Sequence, residues 1–190
     1  MLSSLAISVV VLLTASDGDV PSAVVTGELV CQVKDALGSS RYGWSRGRCE
    51  RVAAALREAA DPVEMLAVCI NESDLRARAV FWASPSKGDA GLCGVRCVLD
   101  DRGHCTNGLV RGMRLEELYD PALNVRVAAQ ILAAKGSTSR YAGETVDRGY
   151  GRRVAVLVAA LSGISASPRG RRMRDHVRRI VEAVTRVPRS

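Results

Sequence analysis

Among the acidic side chains, Glu72 stands where a carboxyl group can carry out proton transfer: it closes the apolar stretch Ala67-Val68-Cys69-Ile70-Asn71 and precedes a glycine-rich segment. Partial desolvation at the end of an apolar helix disfavours the charged form, so such a carboxyl keeps its proton near neutral pH, as a general acid must. A second carboxylate nearby can take the complementary nucleophile or base role. Asp74, Asp89, Asp100 and Asp101 are all available for that role. Metal chemistry is the other reading to weigh, since Cys93, Cys97, His104 and Cys105 lie close together. His104 and Cys105 are direct neighbours, however, and no Cys-x-x-Cys pair frames the group, so the spacing argues against a zinc site and no cofactor is expected.

These groups have to be positioned by helices. Val52, Ala55, Leu56 and Ala59 recur at helical spacing, with Arg51, Arg57 and Glu58 off the stripe. Asp61-Pro62 then supplies an N-cap and a proline at the first helical position, followed by a stripe of Val63, Leu66, Ala67 and Ile70 that ends at Glu72. Asp120-Pro121 repeats the signal for a helix with Val125, Ala128, Ala129 and Leu132 on its stripe, closed by Gly136. Val154, Leu157, Val158 and Leu161 predict another helix, and after a break from Gly163 to Gly170 the residues Val177, Ile180, Val181 and Val184 predict a basic amphipathic one. Between Phe81 and Arg114 no helical period survives, and glycines punctuate a stretch that carries three of the six cysteines. This predicts a long loop or small hairpin excursion ordered by disulfides.

With 47% hydrophobic but only 4% aromatic residues, the core must be built from small aliphatic side chains, which favours a mainly α fold of one domain. Met1 to Ser16 carries no charge, and its apolar run from Leu5 to Ala15 has the length of a signal peptide, short of a membrane span. Residues 1–16 are therefore expected to be a leader, 17–26 a linker, and the mature protein periplasmic or extracellular. Cys31, Cys49, Cys69, Cys93, Cys97 and Cys105 are an even number and fit such an oxidising compartment. Cys31 and Cys49 bracket the loop before the first core helix, and Cys97 and Cys105 a short polar turn, so those two pairs are expected. The net charge of +7 belongs to the C-terminal stretch, where Arg152 to Ser190 holds ten Arg against Asp175 and Glu182, a sum of +8 that leaves −1 for the rest. Such a tail suits an anionic cell-wall polymer or membrane surface, and no nucleic-acid motif accompanies it.

Several segments, taken in order, resemble the soluble lytic transglycosylase domain. Ala67-Val68-Cys69-Ile70-Asn71-Glu72-Ser73 is similar to its helix ending in Glu-Ser. Ser84-Pro85 with Gly88-Asp89-Ala90-Gly91-Leu92 is similar to its Gly-Leu-Met-Gln loop, and Asp120-Pro121-Ala122-Leu123-Asn124-Val125 to its Asp-Pro helix start. Tyr141-Ala142-Gly143 and Gly149-Tyr150-Gly151-Arg152-Arg153-Val154 complete the series, which covers roughly residues 50 to 161.

The resemblance implies a lysozyme-like (α+β) helical domain over residues 27–163, with a long disulfide-containing loop or small hairpin and a basic C-terminal helix at 164–190. It implies cleavage of peptidoglycan glycan strands at the MurNAc–GlcNAc bond with a 1,6-anhydro-muramyl product. Glu72 would be the acid and base, Ser73 and Ser84 polar groups near it, and Tyr141 and Tyr150 pocket residues beside the scissile sugar. Gly91 and Leu92 would bring loop backbone to the glycan, and Asn124 would be structural. The chain departs from the family pattern at Gly94 and Ala142, which stand where the family has Gln and Asn, and Val95 to Gly112 reads as an insertion. Cys93 replaces the family's Met, so Cys69 and Cys93 either pair or remain buried thiols. A hydrolytic lysozyme of the same fold, and a peptidoglycan-binding or secretion-accessory protein without activity, are the competing expectations.

Overall fold

A computed structural model describes residues 25–38, 44–141 and 149–165. The chain is mainly helical with one small antiparallel sheet: α1 (Gly27–Ala36), α2 (Arg46–Arg57), α3 (Pro62–Ser73), strands β1 (Val80–Ser84), β2 (Lys87–Ala90) and β3 (Val95–Val98), then α4 (Pro121–Lys135), α5 (Thr138–Tyr141) and α6 (Tyr150–Ser165). Two short 3-10 turns, Gly108–Val110 and Leu115–Tyr119, lie between the sheet and α4.

Helices α1 to α4 each start where a side-chain oxygen meets free backbone amides. Thr26 Oγ1 accepts from Leu29 N at 3.1 Å and begins α1, and Ser45 does the same for Arg48 at the start of α2. Asp61 accepts from the Val63 and Glu64 amides at 2.9 Å with Pro62 at the first position of α3, and Asp120 accepts from Leu123 at 2.8 Å with Pro121 opening α4. Gly136 ends α4 at φ 72°, a left-handed cap that glycine adopts without steric cost.

The core is a bundle in which α1 packs on α2, α2 on α4, and α3 on α6. Val30, Val33, Val52, Leu56, Met65, Leu66, Val68, Val125 and Leu157 are among its buried members, all aliphatic or Met. Small side chains let these helices approach closely and interdigitate. Val25 is fully buried and its carbonyl accepts from Arg57 Nη1 at 3.0 Å, so this residue of the stretch expected to be linker belongs to the core. The α1 helix occupies a stretch the periodicity left unassigned. Helix α2 ends at Arg57, before the Ala59 that its stripe includes, and α6 runs through Gly163 to Ser165 where a break was expected. The leader at 1–16, most of the linker and the basic helix over 177–184 lie outside the described residues.

The helix-free excursion contains a three-stranded sheet in the order β1-β2-β3. Phe81 pairs with Asp89 and Asp89 with Arg96, while Trp82 pairs with Gly88 and Gly88 with Cys97. The turn beyond β3 is held by polar side chains: Asp100 accepts from the Arg102 and His104 amides at 2.9 Å, and Asn107 bonds Val98 N and Arg96 O. Three disulfides close the scaffold, Cys31–Cys49, Cys69–Cys93 and Cys97–Cys105. Two are the pairs expected from spacing, and the open alternative for Cys69 and Cys93 resolves to a bond. No helix among the described residues is long and apolar enough to cross a membrane.

Candidate active site

Helix α3 carries Glu72 one residue before its end, and the chain then leaves through two consecutive left-handed residues, Asp74 at φ 54° and Leu75 at φ 56°. Asp tolerates that conformation, whereas for Leu it is strained by about 1 to 3 kcal/mol. Full burial of the Leu75 side chain offsets the strain. The exit places Glu72 on the last turn of α3, where its carboxyl faces the glycine-rich loop and the first turn of α6.

The Tyr150 hydroxyl, at the start of α6, donates to Glu72 Oε1 at 2.7 Å. The other oxygen, Oε2, lies against Gly94, whose φ is 63°. A Cβ at position 94 would crowd Oε2, so the residue that replaces the family's Gln is one that lets loop backbone approach the carboxyl directly. Burial is the largest influence on Glu72 and pushes its pKa up. The Tyr150 hydrogen bond, Arg96 and Arg153 pull it down and Asp89 raises it, leaving the carboxyl at about 7. Tyr150 donates to Oε1, which leaves Oε2, on the Gly94 side, as the oxygen available to carry the proton.

The surrounding groups hold that geometry. Arg153, one turn along α6, donates to Asn71 Oδ1 at 3.0 Å and lies 6.0 Å over the Tyr150 ring. Tyr141 is buried and its hydroxyl donates to the Cys93 carbonyl at 2.7 Å, which pins the loop one residue before Gly94. Its own pKa is raised by burial and by the negative charge of Glu72, so it stays a neutral donor. The Cys69–Cys93 bond ties the same residue to α3, one turn before Glu72.

Asn124 is fully buried and makes three hydrogen bonds: Oδ1 accepts from Cys93 N at 2.8 Å, and Nδ2 donates to the carbonyls of Ala90 and Leu118, both at 3.0 Å. Its role is structural. Gly91, at φ 79°, is needed because a Cβ there would collide with the Asn124 amide and the Leu118 carbonyl. Leu92 is fully buried in the core, and its carbonyl accepts from Ser73. Ser73 is buried and donates to the Leu92 carbonyl while accepting from Arg76 N, so it positions the loop rather than lining an open groove.

Of the expected site residues, the structure thus brings Glu72, Tyr141 and Tyr150 together around the loop at 93–94 and uses Ser73, Gly91 and Leu92 to fix that loop. Ser84 is not brought in; it is exposed at the end of β1 next to the hairpin turn, paired with Lys87. The hairpin carries it outward because the strand runs on beyond the point where a short loop would have turned back. Ala142 lies outside the described residues.

Sequence offers Asp89 as one of four carboxylates able to assist Glu72, but singles out neither Arg96 nor the pairing of the two. Asp89 and Arg96 face each other across β2 and β3 and form a two-pronged ion pair, Nε to Oδ1 and Nη2 to Oδ2, the latter at 2.9 Å. Their charges reach Glu72 from the sheet, as that of Arg153 does from α6. The alternation of β2 and β3 gives the pairing in hindsight, once the register is known. Among the described residues no group of three or more His, Cys, Asp or Glu could hold a metal ion. No family model matches this chain, and comparison with curated proteins and with solved structures found no significant similarity.

Proposed function

We propose that the chain is an exported peptidoglycan lytic transglycosylase with a lysozyme-like domain, in which Glu72 cleaves the MurNAc–GlcNAc bond. The observation that carries the reading is the Glu72 carboxyl at about 7, clasped by Tyr150 on one oxygen and open to a glycine-backed loop on the other. A carboxyl with that pKa is protonated in a large fraction of molecules at neutral pH and, once ionised, is a competent base, so one group serves both halves of the reaction. In the first half it gives the proton on Oε2 to the leaving glycosidic oxygen. In the second the carboxylate takes the proton of the muramyl 6-hydroxyl as that oxygen closes on C1, forming the 1,6-anhydro ring and restoring the acid. Tyr150 stabilises the carboxylate between the two halves. No cofactor enters the scheme.

The arrangement of the second carboxylate supports transglycosylation over hydrolysis. Asp89 is the aspartate whose charge acts on Glu72, and both its oxygens are committed to Arg96. That pairing occupies the group that a hydrolytic reading would need as nucleophile or base. Three disulfides agree with an oxidising compartment.

Digestion of purified sacculi followed by mass spectrometry of the released muropeptides tests the reading. Anhydro-muramyl ends are expected. Reducing ends would instead identify a hydrolytic lysozyme, and tight binding without release a peptidoglycan-binding protein.

A further inference from the structure

A cleft of about 520 Å³, separate from the carboxyl site and sharing no lining residue with it, opens where the chain leaving α3 meets the starts of α2 and α4. That volume is in the range of small-molecule sites. Four cations line it, Lys34, Arg48, Arg76 and Arg78, against the single carboxylate of Asp120, which already accepts the Leu123 amide as a helix cap. Outside the stretch from Arg152 onward the chain sums to −1, so this gathering of positive charge is local and not a reflection of overall composition.

The cations are arranged around an aromatic floor. Lys34 Nζ lies 5.6 Å from the Trp44 ring centroid and the Arg48 guanidinium 6.0 Å, with Tyr119 also on the wall. Lys34 is buried, its Nζ 3.4 Å from the Asp74 carbonyl. Burial lowers its pKa to about 8 and Arg76 adds to that lowering, while Asp74 and Asp35 act against it. Arg76 is engaged by the Ser73 carbonyl at 2.8 Å and faces Asp74 at 4.0 Å. Arg48 and Arg78 are exposed and have no ion-pair partner among the described residues. Two exposed guanidinium groups in a cleft that also holds an indole, with Arg48 against its ring, form the chemistry that receives an anion.

We propose that this cleft is a binding site for an anionic group, a phosphate or a carboxylate, whose attached body lies against Trp44 while Arg48 and Arg78 hold the charge. The site stands independently of the reaction assigned to Glu72. In a wall context the anion has two sources, the phosphates of a polyol-phosphate polymer and the free carboxylate of a short peptide, and the cleft is built for the charge they share.

The test uses the full chain with Trp82→Phe, so that Trp44 is the remaining tryptophan and reports the cleft by fluorescence. The protein is titrated separately with a glycerol phosphate oligomer and with an N-acetylated dipeptide ending in a free carboxylate. Uncharged glycerol and the amide-capped dipeptide serve as controls. Saturable quenching by one of the anionic probes and not by its control is expected, and the probe that saturates identifies the source. Arg48→Ser/Arg78→Ser, two exposed positions, should weaken that binding about tenfold with an unchanged circular dichroism spectrum. Arg76 is left in place because it supports Ser73. The proposal is overturned if neither probe saturates, or if the folded double variant binds as tightly as the parent. Repeating the titration on Glu72→Gln should give the same affinity, so a failure of the transglycosylase reading and a failure of this one appear in different experiments.

Discussion

Replacing Glu72 by Gln separates the chemistry of the carboxyl from its cost to the fold. The folded carboxyl titrates at about 7 against an ordinary value of 4.5. Between those two pH values the native state holds a proton that the unfolded chain has lost, so stability falls as pH rises through that window and levels off above it. The gap is worth at most about 3 kcal/mol, taking 1.36 kcal/mol for each pKa unit. Gln carries no titrating group, keeps the volume, and can still accept from Tyr150 through its amide oxygen. Glu72→Gln should therefore match the parent in stability at pH 4 and exceed it by up to about 3 kcal/mol at pH 8, while its turnover on dye-labelled sacculi falls at least ~10²-fold. Urea denaturation at pH 4, 6 and 8, without reductant so that the disulfides stay closed, measures the first effect; dye release measures the second. Asp74→Asn is the matched control: Asp74 caps α3 in the left-handed region, which Asn also accepts, and the variant should keep parental activity. An excess stability of Glu72→Gln that does not grow with pH would refute the desolvated carboxyl. Parental turnover in Glu72→Gln together with loss in Asp74→Asn would show that the reacting carboxyl has been misassigned.

Tyr150→Phe removes the hydrogen bond that favours the Glu72 carboxylate, so the alkaline limb of the pH–rate profile should move up by about one unit, a hydrogen bond to a charged group being worth about 1.5 kcal/mol; a downward move contradicts the geometry. Asn124→Ala strips partners from the Cys93 amide and from two buried carbonyls, and should cost about 3 kcal/mol or more in equilibrium unfolding. Opening Cys69–Cys93 with a double Ser variant should cost about 3 kcal/mol from the freed chain entropy and lower sacculus digestion more than the Cys31→Ser/Cys49→Ser variant does, because only the former bond holds the loop against Glu72.

The helices that frame the site are written locally. Asp61-Pro62 and Asp120-Pro121 state where α3 and α4 begin, because cap and proline act on the amides next to them. Helix α1 is less legible. Its Leu29, Val30 and Val33 form a short stripe, and Gly27 in its first turn reads as a breaker, although that glycine leaves room for the Glu50 side chain of α2. The loop residues illustrate the limit of reading a site from sequence. Ser73, Gly91 and Leu92 are chemically able to face a ligand or to brace a loop, and the choice depends on Asn124 and Leu118, which approach only once α4 is docked. Glu72 and Tyr150 stand 78 residues apart, and no local pattern joins them. The pairing of Asp89 with Arg96 is equally invisible until the register of β2 and β3 sets them opposite each other.

Asn124 also makes the loop observable in time. The Cys93 amide is bonded not to a strand neighbour but to a side chain from α4, 31 residues away. Its exchange with solvent deuterium therefore requires α4 and the loop to part, and its protection reads the free energy of that local opening. The α3 amides near Met65, held by intrahelical bonds in the core, read the larger opening of the bundle. The reciprocal of the Cys93 protection factor, less that of the α3 amides, gives the fraction of time that the loop is parted from α4 in an otherwise folded molecule.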